Sequence, residues 1–158
     1  MKKKILTIVA VVLCFASVCA LLTSCQSEAS LSLHVETGDN VTVTLDTTNG
    51  YNMTYKDNIL LVKDKDGASM LEGSFINAST YEEYKALLGK DMVIDNGKKD
   101  TFEYILHKLS KDSDTNQQLI AKIKDTNTAI ALTVYRPAKE AKELIKIISF
   151  TKAEDNKE

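Results

Sequence analysis

Four groups of side chains in this sequence have the chemistry to act as a site. They are the thiol of Cys25, the imidazoles of His34 and His107, the carboxylates Asp64 and Asp66 beside Gly67, and six tyrosines unaccompanied by tryptophan. Cys14, Cys19 and Cys25 are the three cysteines, and past position 25 there is no thiol. The remainder of the chain therefore has no disulfide, no thiolate nucleophile and no cysteine metal site. His34 and His107 fall in separate strand patterns. Side by side with a carboxylate they would bind a metal, but no ligand spacing supports this, and two unrelated strand histidines on a solvent face are the plainer reading. Asp64, Asp66 and Gly67 resemble the start of a calcium loop. The third oxygen ligand and the distal glutamate do not follow in register, so a hairpin turn is expected. Tyr51, Tyr55, Tyr81, Tyr84, Tyr104 and Tyr135 would make a binding patch if several shared a surface. The spacing of Tyr81 and Tyr84 places them on a buried helix face first. No G-x-S-x-G, G-x-G-x-x-G or P-loop occurs. The sequence thus supplies no catalytic, cofactor-binding or metal residues and calls for no cofactor.

The position of Cys25 is the specific signal. Lys2, Lys3 and Lys4 precede an apolar run from Ile5 to Leu22, and small polar residues follow. That is the layout of a secretory signal peptide. The run is at the short end of the roughly 17–25 residues that span a bilayer, so an uncleaved helix is the competing reading. Leu22-Thr23-Ser24-Cys25 resembles the lipobox of bacterial lipoprotein precursors. The resemblance implies diacylglyceryl transfer to the Cys25 thiol, cleavage before it, and often palmitoylation or another acylation of the new amine. Two or more acyl chains make a stable anchor where one binds marginally, at about 0.8 kcal/mol per buried CH₂. The expected address is the extracytoplasmic face of the cytoplasmic or outer membrane. Gln26 lacks the aspartate that marks inner-membrane retention in some two-membrane bacteria.

Loss of the three signal lysines takes twenty basic residues to seventeen against twenty-two acidic, a net charge of −5. A mildly acidic surface argues against nucleic acid as a partner. Three N-x-S/T sequons at Asn40, Asn52 and Asn77 read as chance. The organisation expected is signal peptide 1–24, lipidated cysteine and short tether 25–30, one domain 31–152, and a charged tail 153–158.

The domain must come from alternation. Leu31, Leu33 and Val35, then Val41, Val43 and Leu45, mark a hairpin around TGDN. Turns are expected at Asn49-Gly50, Asp66-Gly67, Asn96-Gly97 and 125–127. Gly73 interrupts a strand, which predicts a bulge or a close backbone approach. Residues 79–90 change period: Tyr81, Tyr84, Leu87 and Leu88 share a helical face, Ser79/Glu82 and Thr80/Glu83 offer capping boxes, and Gly89 stands as the C′ residue. Strands follow at 101–110, on Leu119, Ala121 and Ile123, and on Ile130, Leu132 and Val134. Pro137 opens a second helix with Ala141, Leu144, Ile145 and Ile148 on one side. Ser149-Phe150-Thr151 adds a short last strand.

The result is a single α+β domain: a mostly antiparallel sheet of two meanders covered by two amphipathic helices. Through "GYNMTYKDNILLVKDKDG", "TYEEYKALL" and "AKELIKIISFT" it resembles the PsbP/Mog1-like fold. Lys56 stands where that pattern has proline, and Ile59 or Leu60 where it has tryptophan. The resemblance implies no single function. The leading expectation is a non-enzymatic, lipid-anchored binding or accessory module whose partner is an envelope protein or ligand. The alternatives are an enzyme or small-ligand binder with a pocket near His107 and Tyr104, and an anchored hydrolase inhibitor using the acidic loop 64–66.

Overall fold

The computed structural model describes residues 27–111 and 115–154. Cys25 and Leu22-Thr23-Ser24, the residues read as a lipobox, lie outside them. Among the described residues ten strands and two helices form one α+β domain: β1 (Glu28–His34), β2 (Asn40–Asp46), β3 (Asn52–Lys56), β4 (Ile59–Lys63), β5 (Ser69–Asn77), α1 (Ala78–Leu87), β6 (Val93–Lys98), β7 (Phe102–Lys108), β8 (Gln117–Ile123), β9 (Thr128–Val134), α2 (Ala138–Ile147) and β10 (Ile148–Lys152). β1 begins at Glu28, so the segment read as a tether is already strand for its last three residues. Ser27 is tied in as well, its carbonyl accepting the Thr47 N–H at 2.7 Å.

The strands divide into two antiparallel sheets. One has seven strands in the order β3-β4-β5-β9-β8-β7-β6; the other has three, β1-β2-β10. The two meanders are both in the larger sheet, joined by β5 against β9. One of its faces packs against the apolar side of the smaller sheet and against α2. Val41, Val43, Leu45, Phe150, Leu60, Leu71, Leu119, Leu132, Ala141 and Leu144 form part of that core. The opposite face carries α1, with Tyr81 on Ile105, Ile120 and Ala129. The expectation that two helices cover the sheet holds only in part. A second sheet covers most of one face, because β1, β2 and β10 each have one apolar side and need a partner layer.

Three local departures have physical causes. Asn96-Gly97 is not a turn: both residues lie inside β6, opposite Ile105 and Tyr104. The chain turns at 99–101 instead, where the Lys99 N–H bonds the Phe102 carbonyl. Gly97 serves packing, since a Cβ there would meet the Tyr104 ring at 3.0–3.2 Å. α1 starts directly from β5 at Asn77, which makes no side-chain cap. The Ala78 N–H bonds the Asn127 carbonyl, so a neighbouring turn supplies what the capping boxes were expected to supply. α1 ends with Leu88 as its C-cap and Gly89 at C′, as expected, but Gly89 is not left-handed. Leu87 is 85 % exposed, because the buried stripe runs through Tyr81, Tyr84 and Leu88.

Polar clamps join the layers. Asp39, in the β1–β2 turn, accepts the Asn127 N–H at 2.8 Å and the Thr128 hydroxyl at 2.6 Å. Thr37 shares a hydroxyl bond with the fully buried Thr128. Asp64 Oδ1 takes the N–H groups of Asp66 and Ala68, and Oδ2 takes Arg136 Nη2 at 2.8 Å. The Ala68 N–H foremost, with Asp66 and Arg136, holds the Asp64 carboxyl below its ordinary value. A lowered folded-state value stabilises the fold above the ordinary carboxylate range, and that stabilisation is lost as pH falls through it. Asp64→Asn should therefore lower Tm at pH 7 by a few degrees. The gap from wild type should narrow as melts are taken down through and below the ordinary carboxylate range, because the advantage is lost as wild-type Asp64 itself takes up a proton.

Candidate functional site

The structure separates the two histidines. His34 ends β1 on the exposed side of the smaller sheet, with Nδ1 bonded to Asn40 Oδ1 at 2.9 Å. His107 lies in β7 of the larger sheet, only 4 % exposed. Its solvent-face placement is thus overturned: Tyr84 of α1 covers it, ring centroids 6.3 Å apart. His107 Nδ1–H donates to the Lys108 carbonyl at 2.8 Å, and Nε2 meets no partner among the described residues. No group of three or more His, Cys, Asp and Glu is placed to hold a metal among those residues.

Tyr104 and His107 do not converge. Three positions apart in one strand, they point to opposite faces. Tyr104 packs on the main core, its hydroxyl 3.4 Å from Asp95 Oδ2. The tyrosines scatter likewise. Tyr55 stacks edge-on to Phe75 at 6.0 Å. Burial, then Glu103 and Glu82, pushes the Tyr81 phenol up to about 12, so it stays protonated. In the acidic turn 64–66, the Asp64 carboxylate is spent internally on the turn's own amides and Arg136.

A depression of about 610 Å³ is lined by Lys98, Lys99, Lys122, Lys124, Asp100, Glu103 and Asp125 among others. Three of its four lysines are already engaged. Lys98 pairs with Glu103 at 3.6 Å and Lys122 with Glu82 at 2.6 Å. Lys99 bonds the Ile145 carbonyl near the end of α2 and lies over the Phe102 ring at 5.2 Å. Burial lowers its pKa. This lysine closes a helix C-terminus, where cations are favoured; the mixed-charge rim does not converge on a ligand.

The smaller sheet presents the more regular surface. Its outward positions are Ser30 and Ser32 on β1, Thr42 and Thr44 on β2, and Ser149 and Thr151 on β10. Register places Ser30, Thr44 and Ser149 in one rank, and Ser32, Thr42 and Thr151 in the next. Ser30 and Thr44 hydroxyls bond at 3.0 Å, Ser32 and Thr42 at 3.2 Å. His34 and Asn40 continue the array into a depression of about 590 Å³ reaching Ala153 and Glu154. Such a face offers paired donors and acceptors on short side chains, suited to matched hydrogen bonds rather than to charge pairing. The alternation of serine and threonine with apolar residues was the available signal, but alone it marks only a solvent side.

The fold and surface define a class: a single α+β domain with two antiparallel sheets, two helices and a neutral hydroxyl face. Scans against family models, curated proteins and solved structures found no match for this chain.

Proposed function

We propose that the protein is a lipid-anchored lipoprotein of the cell envelope, a non-enzymatic binding or accessory module with no nucleic-acid role. The observation that carries this reading is Leu22-Thr23-Ser24-Cys25 at the end of a lysine-headed apolar run. The fold is compatible with it. Among the described residues, the first backbone bond of the domain is at Ser27, two residues after Cys25. Two extended residues span about 7 Å, so lipid on Cys25 would hold the start of β1 against the headgroups. Binding then gains from confinement at a membrane face. The finer fold assignment, PsbP/Mog1-like, belongs to the same proposal and is supported by element order: meander, helix, meander, helix, strand. The last strand of that order, β10, joins β1 and β2 in the smaller sheet.

The test is intact mass and N-terminal peptide fragmentation of the protein from its native membranes. A chain starting at Cys25 with two or three acyl groups is expected. Cys25→Ser should abolish acylation and accumulate the uncut precursor. An unmodified Cys25 in the wild type, or an intact Met1-Lys2-Lys3 terminus, defeats the reading.

A further inference from the structure

Among the described residues four strands end sheets, and three of them are guarded. β3 is short and ends on Lys56; β6 has a register break between Val93 and Asp95 and carries Lys98; β10 is short and ends on Lys152. Short length, lysine and irregularity are the usual protections of an open edge. β1 has none of them. It runs Glu-Ala-Ser-Leu-Ser-Leu-His without lysine, arginine or proline, and pairs with β2 in unbroken register. Its apolar side also extends past the core. Leu31 and Leu33 are half-buried, whereas their partners Val43 and Val41 are fully buried.

The free hydrogen-bonding groups of this edge can be assigned. Ser27 and Val35 bond across to Thr47 and Asp39, and bonded pairs alternate along an antiparallel ladder. The odd residues of β1 therefore face β2. Glu28, Ser30, Ser32 and His34 turn their N–H and C=O groups outward.

We propose that β1 is a dimerisation edge, pairing antiparallel with β1 of a second copy about a two-fold axis at Leu31. In that register Glu28 lies opposite His34, Ser30 opposite Ser32, Ala29 opposite Leu33, and Leu31 opposite itself. Every outward-facing residue meets an outward-facing residue, so each pair exchanges both backbone bonds. An imidazole faces a carboxylate at both ends. His34 Nδ1 donates to Asn40 Oδ1 at 2.9 Å, and in the imidazolium form Nε2–H is the donor left for the carboxylate of Glu28. The serines repeat the hydroxyl pairing already made between Ser30 and Thr44, and between Ser32 and Thr42. Moving the axis by one residue along the strand, to Ser30 or Ser32, keeps the outward groups paired but separates Glu28 from His34. The contact is isologous and closes at two copies. It joins the hydroxyl faces into one six-stranded surface, and it does not depend on lipid at Cys25.

The test is sedimentation velocity of the full chain in detergent across a concentration series, with oxidative crosslinking of Leu31→Cys. Wild type should dimerise, and Leu31→Cys should form a disulfide-linked dimer beyond the background of the native cysteines. Ser32→Pro removes an outward N–H without touching the β1–β2 ladder, and should abolish the dimer while leaving the melting curve in place. Glu28→Lys should weaken the dimer roughly five- to tenfold, and adding His34→Glu should restore it. A monomer at every concentration overturns the proposal. So does a dimer indifferent to both Glu28→Lys and Ser32→Pro. A monomer that binds a different protein through β1 overturns self-pairing in favour of a foreign strand.

Discussion

Replacing Gly73 by valine is expected to leave no folded domain. Gly73 sits mid-strand in β5, between Leu60 of β4 and Leu132 of β9. A Cβ built there would stand 1.9 Å from the Ala131 carbonyl oxygen and 2.9 Å from Leu132 Cα. Both obstacles are backbone, so no rotamer change relieves them. Either β5 moves away from β9, breaking the contact that joins the two meanders, or the sheet bends at its centre. Overpacking a core costs about 1–3 kcal/mol where side chains can shift. Here the ladder itself must open, and more than about 4 kcal/mol is expected. Domain stabilities are typically about 5–15 kcal/mol. Far-UV circular dichroism and amide dispersion should report an unfolded or aggregated chain. Gly73→Ala should fail in the same direction, and a near-native melt for either variant would disprove the close approach.

Phe150→Ala should cost about 3–5 kcal/mol. Phe150 is fully buried and meets Phe102 edge-on, centroids 5.3 Å apart at 78°. It belongs to β10, whose pairing is with β2 alone, and it reaches across to β7 of the other sheet. Truncation removes an aromatic contact and opens a cavity between the layers. The urea midpoint should fall without a change in m-value. Hydrogen exchange should rise first in β1, β2 and β10, and least in β8 and β9, because the smaller sheet loses its anchor. Thr151→Ala, one residue on and facing solvent, should stay within about 0.5 kcal/mol of wild type.

These two residues also show how far the sequence reaches. Gly73 interrupting a strand pattern announces a close approach but not its neighbour, since Ala131 lies fifty-eight positions away. Phe150 announces a short terminal strand but not that it leaves the large sheet for β2. Local order was legible wherever one face of an element is apolar. Alternation on Leu31, Leu33, Val41, Val43 and Leu45, the Leu119 and Ile130 strands, the Pro137 start of α2, and the turns at Gly67 and 125–127 all stand in the structure.

What alternation cannot state is which surface an apolar face will meet. The division into two sheets, the use of the smaller one as a cover, and the burial of His107 under Tyr84 come from long-range pairing. Asn96-Gly97 shows the same limit from the other side. Its turn propensity is outweighed by pairing with β7 and by a tyrosine ring that needs a residue without a Cβ. The exposure of Leu87 follows from where α1 lands on β8 and β9, not from its period. The proposed lipid anchor is the opposite case. Leu22-Thr23-Ser24-Cys25 is a linear signal, so its reading rests on sequence alone. The hydroxyl face and the open β1 edge exist only once strands distant in sequence are placed side by side.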